Sequence, residues 1–193
     1  MKKVGIYGGS FNPIANHHIQ IAQKALDYVD EVWLLPCYKS MSSKKLESGH
    51  HRLAMCRLAI GHLNNIKVCD FEIRNKFTGN PAIVIRQLMH DFPTYQFYFV
   101  IGTDNACNIH NWINGHEAIE LLPYIVFPRK DYFVDQYTWF KKSPHIYISN
   151  FELQSGSSTQ FREEYRRNGH SKLVNSNVIA YIQQNSLYQT SNL

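Results

Sequence analysis

The sequence predicts an α/β protein whose strands lie parallel in a sheet. Three observations predict this. Short runs of β-forming apolar residues recur along the chain. Between them lie segments whose apolar residues repeat at steps of three and four, the period of a helix packed on one face. The composition, 44% hydrophobic and 18% charged over 193 residues, is that of an ordinary globular chain with a sizeable core. Strands joined through helices run parallel, with right-handed crossovers.

The elements follow in order. Lys3 to Tyr7 is the first strand, and Gly8-Gly9-Ser10 breaks it. Ile19, Ala22, Ala25, Leu26 and Val29 mark the first helix. Glu31 to Leu35 is a buried-strand pattern closed by Pro36. A polar, lysine-containing loop runs from Cys37 to Ser48, and His51 to Leu63 reads as a helix. Ile66 to Phe71 is a strand. Pro81 to His90 suits a helix with proline in its first turn. Gln96 to Ile101 is the strongest strand, stopped by Gly102. Glu117 to Leu122 is helical, Tyr124 to Phe127 a strand, and Asp131 to Ser143 irregular and aromatic. His145 to Ser149 is the last strand, and Thr159 to Arg167 and Asn175 to Gln184 are two closing helices. No repeat or linker divides the chain. One domain, 1–193, is expected, with 157–193 as its C-terminal helical part.

The composition also excludes several roles. No apolar run approaches the ~18–20 residues of a membrane span. Met1-Lys2-Lys3 leads straight into a strand rather than into a signal sequence. The four cysteines, Cys37, Cys56, Cys69 and Cys107, form no C-x-x-C pair, so a zinc site is not expected and a cytoplasmic compartment with free thiols is. Lys and Arg total 20 against 15 Asp and Glu, a net +5 spread along the chain. That balance suits a pocket for a small phosphorylated molecule better than a nucleic-acid surface. No nucleic-acid or membrane partner is expected, and the oligomeric state stays open.

Two segments carry chemistry. Gly8-Gly9-Ser10-Phe11-Asn12-Pro13-Ile14-Ala15-Asn16-His17-His18 joins the first strand to the first helix. Glycines let backbone approach a phosphate closely. A helix N-terminus offers free N–H groups and positive dipole. His18, in the first turn, can reach the same anion. Neither the P-loop nor the G-x-G-x-x-G pattern is present. Near the other end, Ser157-Ser158-Thr159 caps a helix and leaves hydroxyls for an anion, and Arg162 lies one turn on. Read alone, each segment is also compatible with a plain strand-to-helix turn or capping segment.

Together the two segments resemble the nicotinate and nicotinamide mononucleotide adenylyltransferases. These belong to the nucleotidyltransferase superfamily with an H-x-G-H-type motif. The first segment is similar to that family's signature, and Ser157-Ser158-Thr159-x-x-Arg162 is similar to its I-S-S-T-x-x-R. Val178 to Ile182 with Leu187-Tyr188 resembles its closing helix and tail. The resemblance implies a Rossmann-like, doubly wound parallel sheet with C-terminal helices, the nucleotidyltransferase fold. It also implies transfer of AMP from ATP to a pyridine mononucleotide, with release of pyrophosphate and with Mg²⁺ riding on the phosphates.

By the same resemblance His18, Arg162 and one loop lysine act on the phosphates; Lys44 or Lys45 supplies that lysine, with Lys39 as the further alternative. Gly9, Ser10, Phe11, Ser158 and Thr159 line the ATP site. Gly102 and Asp104 meet the adenosine ribose, Asn111-Trp112 stands near the pyridine ring, and Arg129 matches an arginine of the site that faces the polyphosphate. His51-Arg52 matches the family's H-R pair, read here as structural. The chain departs from the pattern at Ala15, which cannot donate a hydrogen bond where the family has His or Thr. It departs again at Gly156 and between Gly79 and Leu88, where the family contacts the pyridine nucleotide. Another phosphorylated acceptor, or a weakly active nucleotide-binding protein, therefore stands as the alternative.

Overall fold

The computed structural model describes residues 1–40, 45–129, 132, 139–154 and 156–189. Six strands form one parallel sheet: β1 (Lys2–Gly9), β2 (Glu31–Pro36), β3 (Ile66–Val68), β4 (Tyr95–Gly102), β5 (Tyr124–Phe127) and β6 (Ile146–Tyr147). Their order is β3-β2-β1-β4-β5-β6, every neighbouring pair parallel. The chain builds outward from β1 through β2 to β3, then returns to place β4 on the other side of β1. The order reverses between β1 and β4, and at the carboxyl ends of those two strands the diverging connections leave a crevice.

Each strand offers alternate residues to two cores, as a sheet covered on both faces requires. Val4 and Ile6 of β1, with Phe97, Phe99 and Ile101 of β4, face one core. Helices α3 (Phe71–Asn75), α4 (Pro81–Asp91), α5 (Thr103–Asn108) and α6 (Gly115–Leu121) contribute to it through Phe71, Ile85, Leu88, Ala106 and Ala118. Tyr7 and Val100 face the other core. Helices α1 (Asn16–Ala25), α2 (Gly49–Ile60), α7 (Ser158–Asn168) and α8 (Ser176–Gln184) contribute to it through Ile21, Ala22, Met55, Phe161, Tyr165, Val178 and Ile182. The C-terminal helices thus share a core with the first helix.

Helix ends follow local chemistry. Asn80 caps α4, its Oδ1 accepting the Ala82 and Ile83 N–H groups, with Pro81 first in the helix. Ser157 caps α7, which ends at Gly169 with φ +70°. The strand expected over Ile66 to Phe71 ends at Val68. Phe71 instead opens α3 and buries its ring in the core. A short apolar run does not distinguish a strand from a buried helical turn. Helix α5 has no apolar period of its own and follows β4 without a loop. Of the irregular segment Asp131 to Ser143, Trp139–Lys141 forms a 3₁₀ turn; 131 and 133–138 lie outside the described residues. Among the described residues no helix is long and apolar enough to cross a membrane.

Candidate active site

A cavity of ≈ 390 Å³ opens at the carboxyl ends of β1 and β4. Its walls come from the β1–α1 loop, the start of α7, the β4–α5 junction and Arg129 after β5. Residues from both ends of the chain therefore meet where the strand order reverses.

The β1–α1 loop is held tightly. Phe11 takes a left-handed backbone, φ +44°, and buries its ring edge-on against Tyr7 and His18, with centroids 5.6 and 5.2 Å apart. A Cβ on Gly9 would come within 3.0 Å of that ring, so the loop fits only without a side chain there. Ala15 precedes α1 and offers no side-chain cap. His18 supplies one from within the helix: its Nδ1 accepts the Ala15 N–H at 2.9 Å. With Nδ1 an acceptor, the proton of the neutral ring sits on Nε2, the nitrogen not occupied by that bond. Burial, then the neighbouring His17 and Arg129, hold the His18 pKa well below the usual histidine value. His17 stacks on His18 at 3.9 Å between centroids, and burial together with Arg129 lowers its pKa to about 4. Both rings are neutral at ordinary pH and act as dipolar donors rather than cations.

The C-terminal motif is fastened to this loop. Ser158 Oγ donates to the Pro13 carbonyl at 2.8 Å. Arg162 donates through one terminal nitrogen to the Asn12 carbonyl, 2.7 Å, and through the other to Thr159 Oγ1, 3.1 Å. Asn12, 5% exposed, is the hub. Its Oδ1 accepts the Glu47 N–H and the Tyr188 hydroxyl, and its Nδ2 donates to the Lys45 carbonyl.

The opposite wall is different. Gly102 ends β4, and a Cβ there would collide with the Asp104 carboxylate and with Arg129. Buried Thr103 accepts the Arg129 N–H at 2.8 Å, which brings the arginine over the strand end. Asp104 Oδ1 and Arg129 Nε lie 3.7 Å apart, both buried and without a hydrogen-bond partner among the described residues. Two buried polar atoms in that state mark a surface completed by something else. With Arg129 and Arg162 against Asp104, the described lining carries excess positive charge for a polyanion.

Of the residues singled out in the sequence, Gly9, Ser10, Phe11, His18, Gly102, Asp104, Arg129, Ser158, Thr159 and Arg162 line this cavity. Asn111 and Trp112 do not. Asn111 Nδ2 bonds Asn108 Oδ1 at 2.6 Å, and Trp112 packs half-buried on the α4–α6 core. Lys45 is exposed and meets the site through its carbonyl; Lys44 lies outside the described residues. Lys39 places its ammonium over the Tyr38 ring. Arg52 is 1% exposed and donates to the carbonyls of Ser10, Cys37 and Glu47, a structural clamp beneath the loop. His51 bonds the Tyr181 hydroxyl. Tyr7, Asn12 and His17 line the cavity without having been assigned a role. For Asn12 the available signal was a polar side chain inside a tight loop, which must find partners if buried.

A family model described as cytidylyltransferase-like matches residues 6–164. A probable nicotinate-nucleotide adenylyltransferase of Anaeromyxobacter dehalogenans is 30% identical, over 97% of each chain. The chain belongs to the nicotinate-nucleotide adenylyltransferase family. A probable enzyme of that name from Shewanella pealeana is 28% identical over 97% of this chain and 96% of its own. Among solved structures, the nicotinic acid mononucleotide adenylyltransferase of Plasmodium falciparum, complexed with NaAD, superposes with a TM-score of 0.84. It shares 27% identity over 97% of this chain and 98% of that one. The α/β class, the parallel doubly wound order and the family read from the two motifs all hold.

Proposed function

We propose that this chain moves AMP from ATP to nicotinate mononucleotide, forming the deamido-NAD dinucleotide and pyrophosphate in NAD biosynthesis. One observation carries the reading. The two phosphate-type motifs, from opposite ends of the chain, converge with the His18 ring on one cavity at the switch point of the sheet. In the reaction a 5′-phosphate oxygen of the mononucleotide attacks the α-phosphorus of ATP. A P–O bond forms there as the bond to the β-phosphate oxygen breaks and pyrophosphate leaves. No enzyme nucleophile is required, so catalysis rests on alignment and on stabilising charge that develops on the phosphates.

The residues divide this work. His18 donates its Nε2–H to a phosphate oxygen without first having to lose a proton. Arg162, already aimed by Asn12 and Thr159, supplies a fixed positive charge. Ser158, Thr159 and the backbone of Gly9 and Ser10 add donors, and Phe11 holds their loop in shape. The N-terminus of α1 adds its dipole. Asp104 accepts from a ribose hydroxyl beside Gly102, and Arg129 meets the partner nucleotide's charge. A lysine of the loop, Lys44 or Lys45, is proposed to reach the triphosphate.

Among the described residues no three His, Cys, Asp or Glu side chains converge on one point, and the described lining holds one carboxylate, Asp104, beside Arg129. That donor set does not make a protein cage for Mg²⁺. The ion is proposed to ride on the substrate phosphates and water, whose charge it screens. We also propose that all 193 residues act as one unit, since α7 and α8 complete the core under the site. A cytoplasmic location is supported by the four free thiols.

One observation favours a different acceptor. Asn80 is committed to capping α4, and no residue of 79–88 lines the cavity. Pyrophosphate release from ATP and Mg²⁺ is to be measured with a panel of acceptors: nicotinate and nicotinamide mononucleotides, pantetheine phosphate and glycerol phosphate. The reading predicts release with a pyridine mononucleotide above all others. Release with another acceptor alone moves the chain to that substrate, and ATP binding without release for any acceptor makes it a binding protein.

A further inference from the structure

The segment after α8 is tied to the cavity wall by one buried hydrogen bond. Tyr188, 6% exposed, lies beyond α8 and donates its hydroxyl to Asn12 Oδ1 at 2.8 Å, across 176 positions of sequence. The residues on either side of this bond hold unusual backbones. Tyr188 has φ +59° and Ser186 φ +52°, and Phe11, next to Asn12, has φ +44°. Non-glycine residues stay in the left-handed region when the surrounding structure holds them there, and such positions gather at working sites.

Asn12 passes the constraint on. Its side chain holds the Glu47 N–H and the Lys45 carbonyl, which lays the 45–47 segment along the cavity, where Leu46 forms part of the wall. Its own carbonyl accepts from Arg162. The asparagine's side chain therefore sets the course of the 45–47 segment, while its backbone carbonyl separately receives the arginine. Tyr188 fixes how that asparagine faces. The ring also packs edge-on to Phe161 of α7, 6.2 Å between centroids, so the tail registers α7 and the β1–α1 loop together.

We propose that Tyr188 is a positioning residue for the triphosphate: its hydroxyl orients the Asn12 side chain, and through it the 45–47 segment, so the segment after α8 acts on phosphate binding rather than merely closing the core. The proposal rests on the adenylyltransferase reading for its ligand, and concerns a residue that touches no substrate.

The test compares Tyr188→Phe with wild type in three readouts: Tm, the Kd for ATP against that for adenosine, and kcat/KM with nicotinate mononucleotide. Phenylalanine keeps the ring and removes one hydrogen bond, an effect of about fivefold to tenfold when expressed in binding. The ATP Kd is expected to weaken by up to that factor and kcat/KM to fall with it, while the adenosine Kd stays close to wild type and the Tm falls by no more than the few degrees that one buried hydrogen bond is worth. Equal affinities for both ligands in variant and wild type overturn the proposal. So does an activity loss no larger than the loss of folded protein. Asn12→Ala tests the link from the other end and must show the same ATP-selective loss, also if Tyr188→Phe proves unfolded. A double variant losing no more than Asn12→Ala alone supports a shared pathway, and additive losses contradict it. A wild-type protein that binds ATP but transfers AMP to no acceptor would refute the adenylyltransferase reading and leave the binding comparison standing.

Discussion

The two walls of the cavity are built on opposite principles. On the wall made by the β1–α1 loop and α7, the polar groups already have partners: His18 with Ala15, Ser158 with Pro13, Arg162 with Asn12 and Thr159, and Asn12 with Glu47 and Tyr188. On the wall made by β4, α5 and Arg129, two buried polar atoms, Asp104 Oδ1 and Arg129 Nε, have no hydrogen-bond partner among the described residues and face each other as charges 3.7 Å apart. The first wall is rigid before any ligand arrives, which suits stabilisation of charge in a transition state, where donors must not reorganise. The second is completed by what it binds, which suits recognition of a nucleoside. The proposed function would divide along the same line, charge stabilisation on the first wall and recognition on the second.

The difference can be broken first at His18. His18→Ala removes the Nε2–H donor, and a loss of ~2–4 kcal/mol of transition-state stabilisation is expected. Steady-state kcat/KM checks it; near-wild-type turnover would take His18 out of the chemistry. The next contrast pairs one residue from each wall. Arg162→Ala leaves the Asn12 carbonyl without its donor, so it should lower both activity and the Tm of the ligand-free protein. Asp104→Asn breaks no hydrogen bond of the described structure and removes only the charge that faces Arg129 at 3.7 Å. It should lower the ligand-free Tm less than Arg162→Ala does and raise the KM for ATP about tenfold, one lost charge-assisted hydrogen bond. If both variants lower the ligand-free Tm equally, the two walls do not differ as described.

The smallest effect is in pH. His17 and His18 both have folded pKa values below the unfolded one. Between pH 6.5 and about 4 the unfolded chain binds more protons at His17, so stability from this pair is complete above pH 6.5 and is lost as pH falls through that window. A His17→Gln variant should show a shallower acid limb in Tm against pH, and an unchanged limb would mean the ring is solvated.

Much of this was legible in the sequence because it depends on local chemistry. Gly9 and Gly102 stand where a side chain would strike a neighbour, Ser157 caps a helix, and Lys3 to Tyr7 and Gln96 to Ile101 have strand patterns. What stayed illegible depends on distance along the chain. Phe71 reads as a strand residue because its run is short, and its helical turn is set by packing under β2 and β4. Arg52 sits in an exposed-looking His-Arg pair, yet three carbonyls from two loops enclose it. Ala15 looked like a lost donor. The structure shows Ala15's own backbone N–H donating to His18 Nδ1, a bond set within the helix turn that the residue types alone do not announce.

The most direct test of the central claim follows the phosphorus atoms of ATP. The wild-type protein is incubated with nicotinate mononucleotide, Mg²⁺ and ATP labelled at either the α- or the γ-phosphorus. Attack at the α-phosphorus predicts α-label in the dinucleotide and γ-label only in pyrophosphate. Label from the γ position in the acceptor, or α-label recovered solely as AMP, would contradict it.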